Sequence, residues 1–301
     1  MKIKMNRVGL FDVDSKMPNL ALMKLSAWHK RKGDIVEKYS PLLFGFYDLI
    51  YASKIFNYSH PNDAYLRENM IIGGPGFDLK KKLKKQIDHI YPDYSLYGCD
   101  YAIGYITKGC CRKCKFCIVP RMEGYIHKFA DLWEFTSDQE KVVLLDNNIL
   151  AYSNHLQELQ VLIDSQKRIE FTQGFDIRLI TKHNAEKLAE LKRWRGQRLK
   201  FAFDDPSLKK IIEKKLEILH DAGITSGILQ FYLLIGFNTS REEDLMRIRF
   251  LREKKISAFV MPYNKENPYQ KRFARWVNRR FYKYESFQHY LGGIKHGEAI
   301  I

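Results

Sequence analysis

Cys110-Cys111-Arg112-Lys113-Cys114-Lys115-Phe116-Cys117 is the stretch on which the reading of this chain turns. It holds four of the five cysteines, the fifth being Cys99. A disulfide framework spreads its cysteines along the chain, so this crowding points to a metal or cluster site. The spacing is C-x3-C-x2-C, with an aromatic residue, Phe116, just before the last thiol. Three thiolates on one short loop fill three corners of a cubane cluster and leave its fourth iron open to a ligand. Zinc is the rival. A structural zinc site takes four ligands, usually as two short pairs well apart in sequence. Cys111 or Cys99 could supply a fourth thiolate, but no second pair occurs and His127 stands alone downstream. The spacing therefore favours a [4Fe–4S] cluster on Cys110, Cys114 and Cys117. Cys111, beside a ligand, reads as structural or incidental, and Cys99 as a small buried residue.

Around this loop, apolar runs alternate with helical patterns. Tyr101–Thr107, Lys141–Leu145, Arg168–Thr172, Leu199–Phe203, Ile228–Ile235 and Ser257–Met261 read as strands. Asn154–Ser165, Asn184–Arg193, Leu208–Ala222 and Arg241–Lys254 read as helices between them. Such βα units in a row predict a partial (β/α)6 barrel or an open curved parallel sheet, with its chemistry at the C-terminal ends of the strands. Upstream, Arg7–Val13, Ile35–Tyr39, Tyr47–Ala52 and Asn69–Gly73 read as further strands, with a helix over Pro18–Lys32 closed by Gly33-Asp34. The expected class is α/β: a small doubly wound domain over residues 1–95, the partial barrel over 96–265 and a helical extension over 266–301.

The 301 residues carry 51 Lys and Arg against 35 Asp and Glu, a formal charge of +16. That surplus suits an anionic partner, although a lysine-rich soluble protein would show it too. With 45% hydrophobic and 14% aromatic residues the chain can build a core, which excludes global disorder. No apolar run reaches the roughly 20 residues of a membrane span. Met1–Leu10 lacks the apolar core of a signal peptide, so a cytoplasmic location is the expectation. Lys80–Lys85 reads as a solvated helix face. Lys271–Tyr290 interleaves Arg272, Arg275, Arg279, Arg280 and Lys283 with Phe273, Trp276, Phe281 and Tyr284. An amphipathic helix packed on the barrel is its simpler reading, and a nucleic-acid surface the functional one.

C-x3-C-x-aromatic-C at the end of a first barrel strand resembles the signature of the radical S-adenosylmethionine superfamily, and the likeness covers residues 98 to 264. It implies that the open iron binds S-adenosylmethionine, whose reductive cleavage yields a 5′-deoxyadenosyl radical, and that a reductant such as flavodoxin or ferredoxin supplies the electron. Leu145-Asp146-Asn147-Asn148 lies where the family often has Gly-Gly-Glu at the methionyl amine. The resemblance further implies that Arg178 holds a carboxylate and that Gln173 or Asp176 meets a ribose hydroxyl. Asp204 and Asp205 end the fourth strand. Ile235-Gly236 ends the fifth, where adenine is commonly contacted, and Met261 the sixth; Phe116 joins this cofactor-binding set. Residues 1–95 resemble the cobalamin-binding domain that precedes many family members, with Gly73-Gly74-Pro75-Gly76 as its glycine-rich turn. The D-x-H-x-x-G motif is absent, and His29 lies inside an apparent helix. That lowers the expectation of cobalamin without settling it.

Cys117-Ile118-Val119-Pro120 is similar to tRNA methylthiotransferases, but this chain has neither their N-terminal three-cysteine domain nor their RNA-binding domain. The expectation is a radical S-adenosylmethionine enzyme of unassigned substrate, with methyl or sulfur transfer as candidate outcomes. The alternative is a non-catalytic nucleic-acid-binding protein stapled by a metal or cluster.

Overall fold

A computed structural model describes residues 5–194 and 196–297. The N-terminal apolar runs become four parallel strands, β1 (Arg7–Asp12), β2 (Ile35–Lys38), β3 (Leu49–Ser53) and β4 (Ile71–Gly73), in the order β2-β1-β3-β4. Val8 of β1 stands opposite Val36 on one side and Leu49 on the other. Helix α1 (Leu20–Arg31) is capped by the Asn19 side chain, which accepts from the Leu22 N–H. The sheet buries both faces, as parallel sheets do. Val8 and Leu10 pack with Leu22 and Leu25 of α1. Phe11, Val13, Ile50 and Ala52 pack with Met70 in a second cluster. The links into β3 and β4 are short 3-10 turns, Pro41–Phe46 and Asp63–Tyr65, so α1 is the one long helix among these four strands.

The chain divides into two compact units, Met1–Lys113 with Cys117–Leu145, and Cys114–Phe116 with Asp146–Ile301. The first continues through α2 (Lys85–Asp88), β5 (Ala102–Gly104), β6 (Thr107–Lys108), α3 (Val119–Met122), β7 (His127–Lys128), α4 (Leu132–Phe135) and β8 (Lys141–Leu144). Tyr101–Thr107, expected as one strand, is split. β5 pairs parallel with β8, whereas β6 pairs antiparallel with β7. The switch falls at Ile106, whose carbonyl accepts from the Phe129 and Ala130 N–H groups. Lys80–Lys84 precedes α2 rather than forming its face, and those lysines are exposed.

The second unit runs α5 (His155–Asp164), β9 (Arg168–Phe171), α6 (Lys182–Glu190), β10 (Leu199–Ala202), α7 (Lys209–Asp221), β11 (Leu229–Ile235), α8 (Arg241–Glu253), β12 (Ser257–Pro262), α9 (Pro268–Asn278) and α10 (Phe287–Gly297). β10, β11 and β12 form a parallel sheet in chain order. Period-two alternation is clean along β11: Leu229, Phe231, Leu233 and Ile235 are fully buried, while Gln230, Tyr232 and Leu234 are half-buried. Reciprocal capping boxes, Thr181 with Asn184 and Ser240 with Glu243, start α6 and α8.

Lys271–Tyr290, expected as one helix, is two helices. Arg280 adopts a left-handed conformation (φ 66°) and breaks them apart. Just before it, the Asn278 amide turns inward to bond both Val260 N–H (2.8 Å) and Val260 C=O (3.0 Å) of β12. Phe273, Trp276 and Val277 pack in the core as the simpler reading required, but Phe281 and Tyr284 leave that face and are exposed. No helix among the described residues is long and apolar enough to cross a membrane.

Candidate functional site

The cysteine loop leaves β6 and returns through β7. Lys108 stands opposite His127, and Thr107 opposite Lys128. One step into the loop, the Gly109 N–H donates to Glu123 Oε2 at 2.9 Å and the Cys110 N–H to Gly124 O at 3.2 Å. Gly109 has φ +85°, and a Cβ there would lie 2.4 Å from Tyr125 O, so no other residue fits. The Arg112 N–H points at Cys110 Sγ at 3.4 Å. Lys108 is anchored on the neck's flank, with Nζ 3.4 Å from Asp88 Oδ2 and 3.5 Å from the Phe129 ring centre. Lys24, buried beside it, donates to the Asp88 carbonyl and to Oδ1 (3.1 Å). Burial holds the Lys24 ammonium below its usual range despite the pull of Asp88. Burial also raises Asp88, but Lys24 and Lys108 outweigh it and hold its carboxyl low.

Cys110, Cys111 and Cys117 are half-buried, and Cys114 is exposed. Among the described residues no group of three or more His, Cys, Asp or Glu side chains stands ready for a single metal ion. A cubane takes each thiolate on a separate iron, so it does not require its ligands to converge on one point. The N–H directed at Cys110 Sγ is the kind of group that stabilises thiolate sulfur in such clusters. The donor set therefore fits an iron–sulfur cluster. Cys99 is half-buried, and burial followed by the Asp100 charge pushes its thiol up, away from thiolate character.

The other sequence-derived residues lie in the second unit, Asp146, Asn147 and Asn148 just after β8 and the rest after β9 and β10, at or just after the end of β11, or on β12. Asp146 and Asn148 are buried, and Asn147 is half-buried. Asn148 Oδ1 accepts from the Asp176 N–H at 3.3 Å. Asp176 Oδ1 takes both the Arg178 N–H (3.1 Å) and Arg178 Nε (2.6 Å). Asn148, Asp176 and Arg178 are thus brought together, while Gln173 stands exposed. Asp204 Oδ1 accepts from the Leu234 N–H at 2.7 Å. Burial raises the Asp204 carboxyl, more than that hydrogen bond and Arg247 lower it. Ile235 is buried at the end of β11, and Gly236 follows at φ +78°. A Cβ on Gly236 would lie 2.0 Å from the Gln270 side chain, which itself accepts from the Asn264 N–H. Met261 is exposed on β12.

Sequence reasoning missed two features. Phe116 meets Phe237 (ring centres 5.5 Å), and Phe237 meets Tyr263 (5.0 Å), an aromatic row at the ends of β11 and β12. Arg247 of α8 is fully buried and donates to Phe203 O (2.7 Å), Leu234 O (3.1 Å) and Asp244 Oδ1 (2.6 Å). It ties the ends of β10 and β11 behind Asp204. Its signal in the sequence is an Asp–Arg pair at i, i+3 in phase with Leu251 on the apolar side of the helix.

At the C-terminal edge of the N-terminal sheet the polar side chains bond to the chain itself. Asp14 accepts from the Ile55 N–H (2.7 Å), the Phe56 N–H (3.0 Å) and Ser59 Oγ (2.5 Å). The Asn19 amide donates to Ser53 Oγ at 2.9 Å. Buried Lys54 holds both Asp63 oxygens at 2.9 and 2.8 Å. His29 is buried with both ring nitrogens engaged, by Asp34 (2.6 Å) and Tyr51 OH (3.1 Å).

No protein-family model matches the sequence. No curated protein matches it either. Among solved structures, the fold is similar to that of the apo, selenomethionine-labelled cobalamin-dependent S-adenosylmethionine radical enzyme OxsB. That likeness has 14% identity and a TM-score of 0.50, over 93% of this chain and 56% of that one. A weaker likeness, with 16% identity and a TM-score of 0.40, is to SuiB of Streptococcus suis bound to S-adenosylmethionine, over 61% of this chain and 44% of SuiB. The chain spans about half the length of the structures it matches. The likeness to OxsB is one of fold, and the fold of this chain is an α/β architecture with parallel sheets.

Proposed function

We propose that this protein is a radical S-adenosylmethionine enzyme with its [4Fe–4S] cluster on Cys110, Cys114 and Cys117. The observation that carries this reading is the C-x3-C-x2-C loop, with a backbone N–H directed at Cys110 Sγ, in a chain of that fold. When bound, the cluster supplies the electron that cleaves S-adenosylmethionine to methionine and a 5′-deoxyadenosyl radical. The chain's own residues bind and orient. Asp146, Asn147 and Asn148 would hold the methionyl ammonium. Arg178, with Nε held by Asp176, keeps its Nη groups for the carboxylate. Asp176 Oδ1 already accepts twice, so exposed Gln173 is the better ribose partner. Asp204 would line the cofactor beside them, and Phe116, Gly236 and Met261 would meet the adenine, with buried Ile235 supporting Gly236 from within the strand.

Cobalamin is compatible with the fold, since the similar OxsB is a cobalamin-dependent enzyme, but it is not required by this reading. Asp14, Asn19 and Lys54 at the N-terminal sheet edge bond to the chain itself, and His29 bonds to Asp34 and Tyr51, so a cobalamin there would lack a histidine below the cobalt. The substrate is unassigned, with methyl and sulfur transfer both compatible. The exposed cations Lys271, Arg272 and Arg275 of α9, with Arg279 at its C-cap, keep a nucleic-acid partner in view.

The test is anaerobic reconstitution of the protein and of its five single Cys→Ala variants. Wild type should be brown, carry about four irons and release 5′-deoxyadenosine under strong reduction. Loss of the cluster is expected for Cys110→Ala, Cys114→Ala and Cys117→Ala, and retention for Cys99→Ala and Cys111→Ala. A colourless protein with one zinc, or full cluster retention in Cys114→Ala, overturns the assignment.

A further inference from the structure

We propose that Glu123 is a positioning residue for the cluster, acting through Gly109 on the first ligand, Cys110. The proposal rests on the reading of this loop as the cluster site. Two hydrogen bonds join residues 109–110 to the segment leading into β7, Gly109 N–H to Glu123 Oε2 (2.9 Å) and Cys110 N–H to Gly124 O (3.2 Å), and Gly109 passes too close to Tyr125 O for any side chain, which makes three contacts in all. The first is charge-assisted and so the strongest of the three. A backbone amide could have been paired by another carbonyl, as Cys110 is. A half-buried carboxylate there places a negative charge one residue from a cluster ligand instead.

Two consequences follow from this geometry. Cys110 is set in place through backbone bonds from both residues of the Gly109–Cys110 step, while Cys114 on the same loop is exposed. The backbone of the first ligand is thus held by the chain itself. The carboxylate also opposes addition of an electron nearby, because like charges repel strongly where water is partly excluded. Glu123 thereby helps keep the reduction potential low.

Glu123→Gln and Glu123→Ala separate these effects, with thermal melts of the apo-proteins as the folding control. Gln keeps an oxygen acceptor for the Gly109 N–H and removes the charge. It should hold iron as wild type does, with the potential from an electron-paramagnetic-resonance-monitored titration moved positive. Ala removes the acceptor as well. It should lose iron to a chelator roughly tenfold faster, the worth of one charge-assisted hydrogen bond, with rescue by Gln. Wild-type iron retention and wild-type potential in both variants would overturn the proposal while leaving the enzyme reading intact. If wild type itself takes up no cluster, the enzyme reading falls and this inference with it. If Ala unfolds, the potential of the Gln variant decides: a positive shift upholds the proposal, and an unchanged value overturns it.

Discussion

The C-terminal edges of two parallel sheets, one in each unit, are built alike and finished differently. In the N-terminal sheet, Asp14, Asn19 and Lys54 spend their polar groups on the chain itself, on the backbone of residues 55–56, on Ser53 and on Asp63. At the strand ends of the second unit the stiffening comes from behind, through Arg247, and groups such as Gln173, Gly236 and Met261 stand exposed in front. Asp204 there keeps a carboxyl raised by burial. A parallel sheet offers a ligand crevice at its carboxyl edge wherever the chain does not fill it. The two sheets differ in strand order, β2-β1-β3-β4 against β10-β11-β12, and their edges differ as well in how far the polar groups are satisfied by the chain itself.

Substitutions at the two edges should therefore act on different observables. The largest effect is expected from Arg247→Ala, which strips one partner from a buried pair and should cost about 3–5 kcal/mol in urea denaturation. S-adenosylmethionine binding should weaken with it, because the β10 and β11 ends lose their common anchor. Asp14→Ala should cost about 2–3 kcal/mol by orphaning two backbone N–H groups, with the affinity for S-adenosylmethionine unchanged. If Asp14→Ala abolished that binding while leaving stability intact, the contrast between the edges would be broken. Gln173→Ala should do the reverse. Its stability should stay within about 0.5 kcal/mol of wild type, and calorimetry should show binding weakened several-fold.

Asp204 sharpens the contrast through pH. Its folded pKa is raised, so the folded state holds the proton more tightly than the unfolded chain does. Its contribution to stability is present below the ordinary carboxylate range, near 4, and is lost as pH rises through the raised folded value. Asp88 has the opposite sign. Its lowered pKa gives stability above that range that is lost on acidification through the folded value. Denaturation across pH 3–7 should show Asp204→Asn removing a decline of stability with rising pH, and Asp88→Asn removing a rise. Equal slopes in both variants would refute the pairing of burial with Asp204 and of the lysines with Asp88.

The smallest effect concerns the C-terminal ridge. Replacing Arg272, Arg275, Arg279 and Arg280 with alanine should flatten the salt dependence of any RNA binding. Phe273 and Trp276 are buried, so only Phe281 and Tyr284 of this segment could stack on bases, and base preference should be slight.

From the sequence alone came the cysteine spacing, the order of βα units and most element positions, because thiol spacing and period-two or period-3.6 burial are local properties of the chain. The split of Tyr101–Thr107 and the break at Arg280 were not local. Each depended on a distant partner, the returning segment at Phe129 in one case and Val260 in the other. Arg247, the Phe116–Phe237–Tyr263 row and the Glu123 clamp were likewise decided only in three dimensions, since each joins residues far apart in the chain. Residue type declares which chemistry a side chain can perform. Tertiary packing alone decides whether that capacity is spent on the protein's own backbone, as at Asp14, or held at an exposed strand end, as at Gln173.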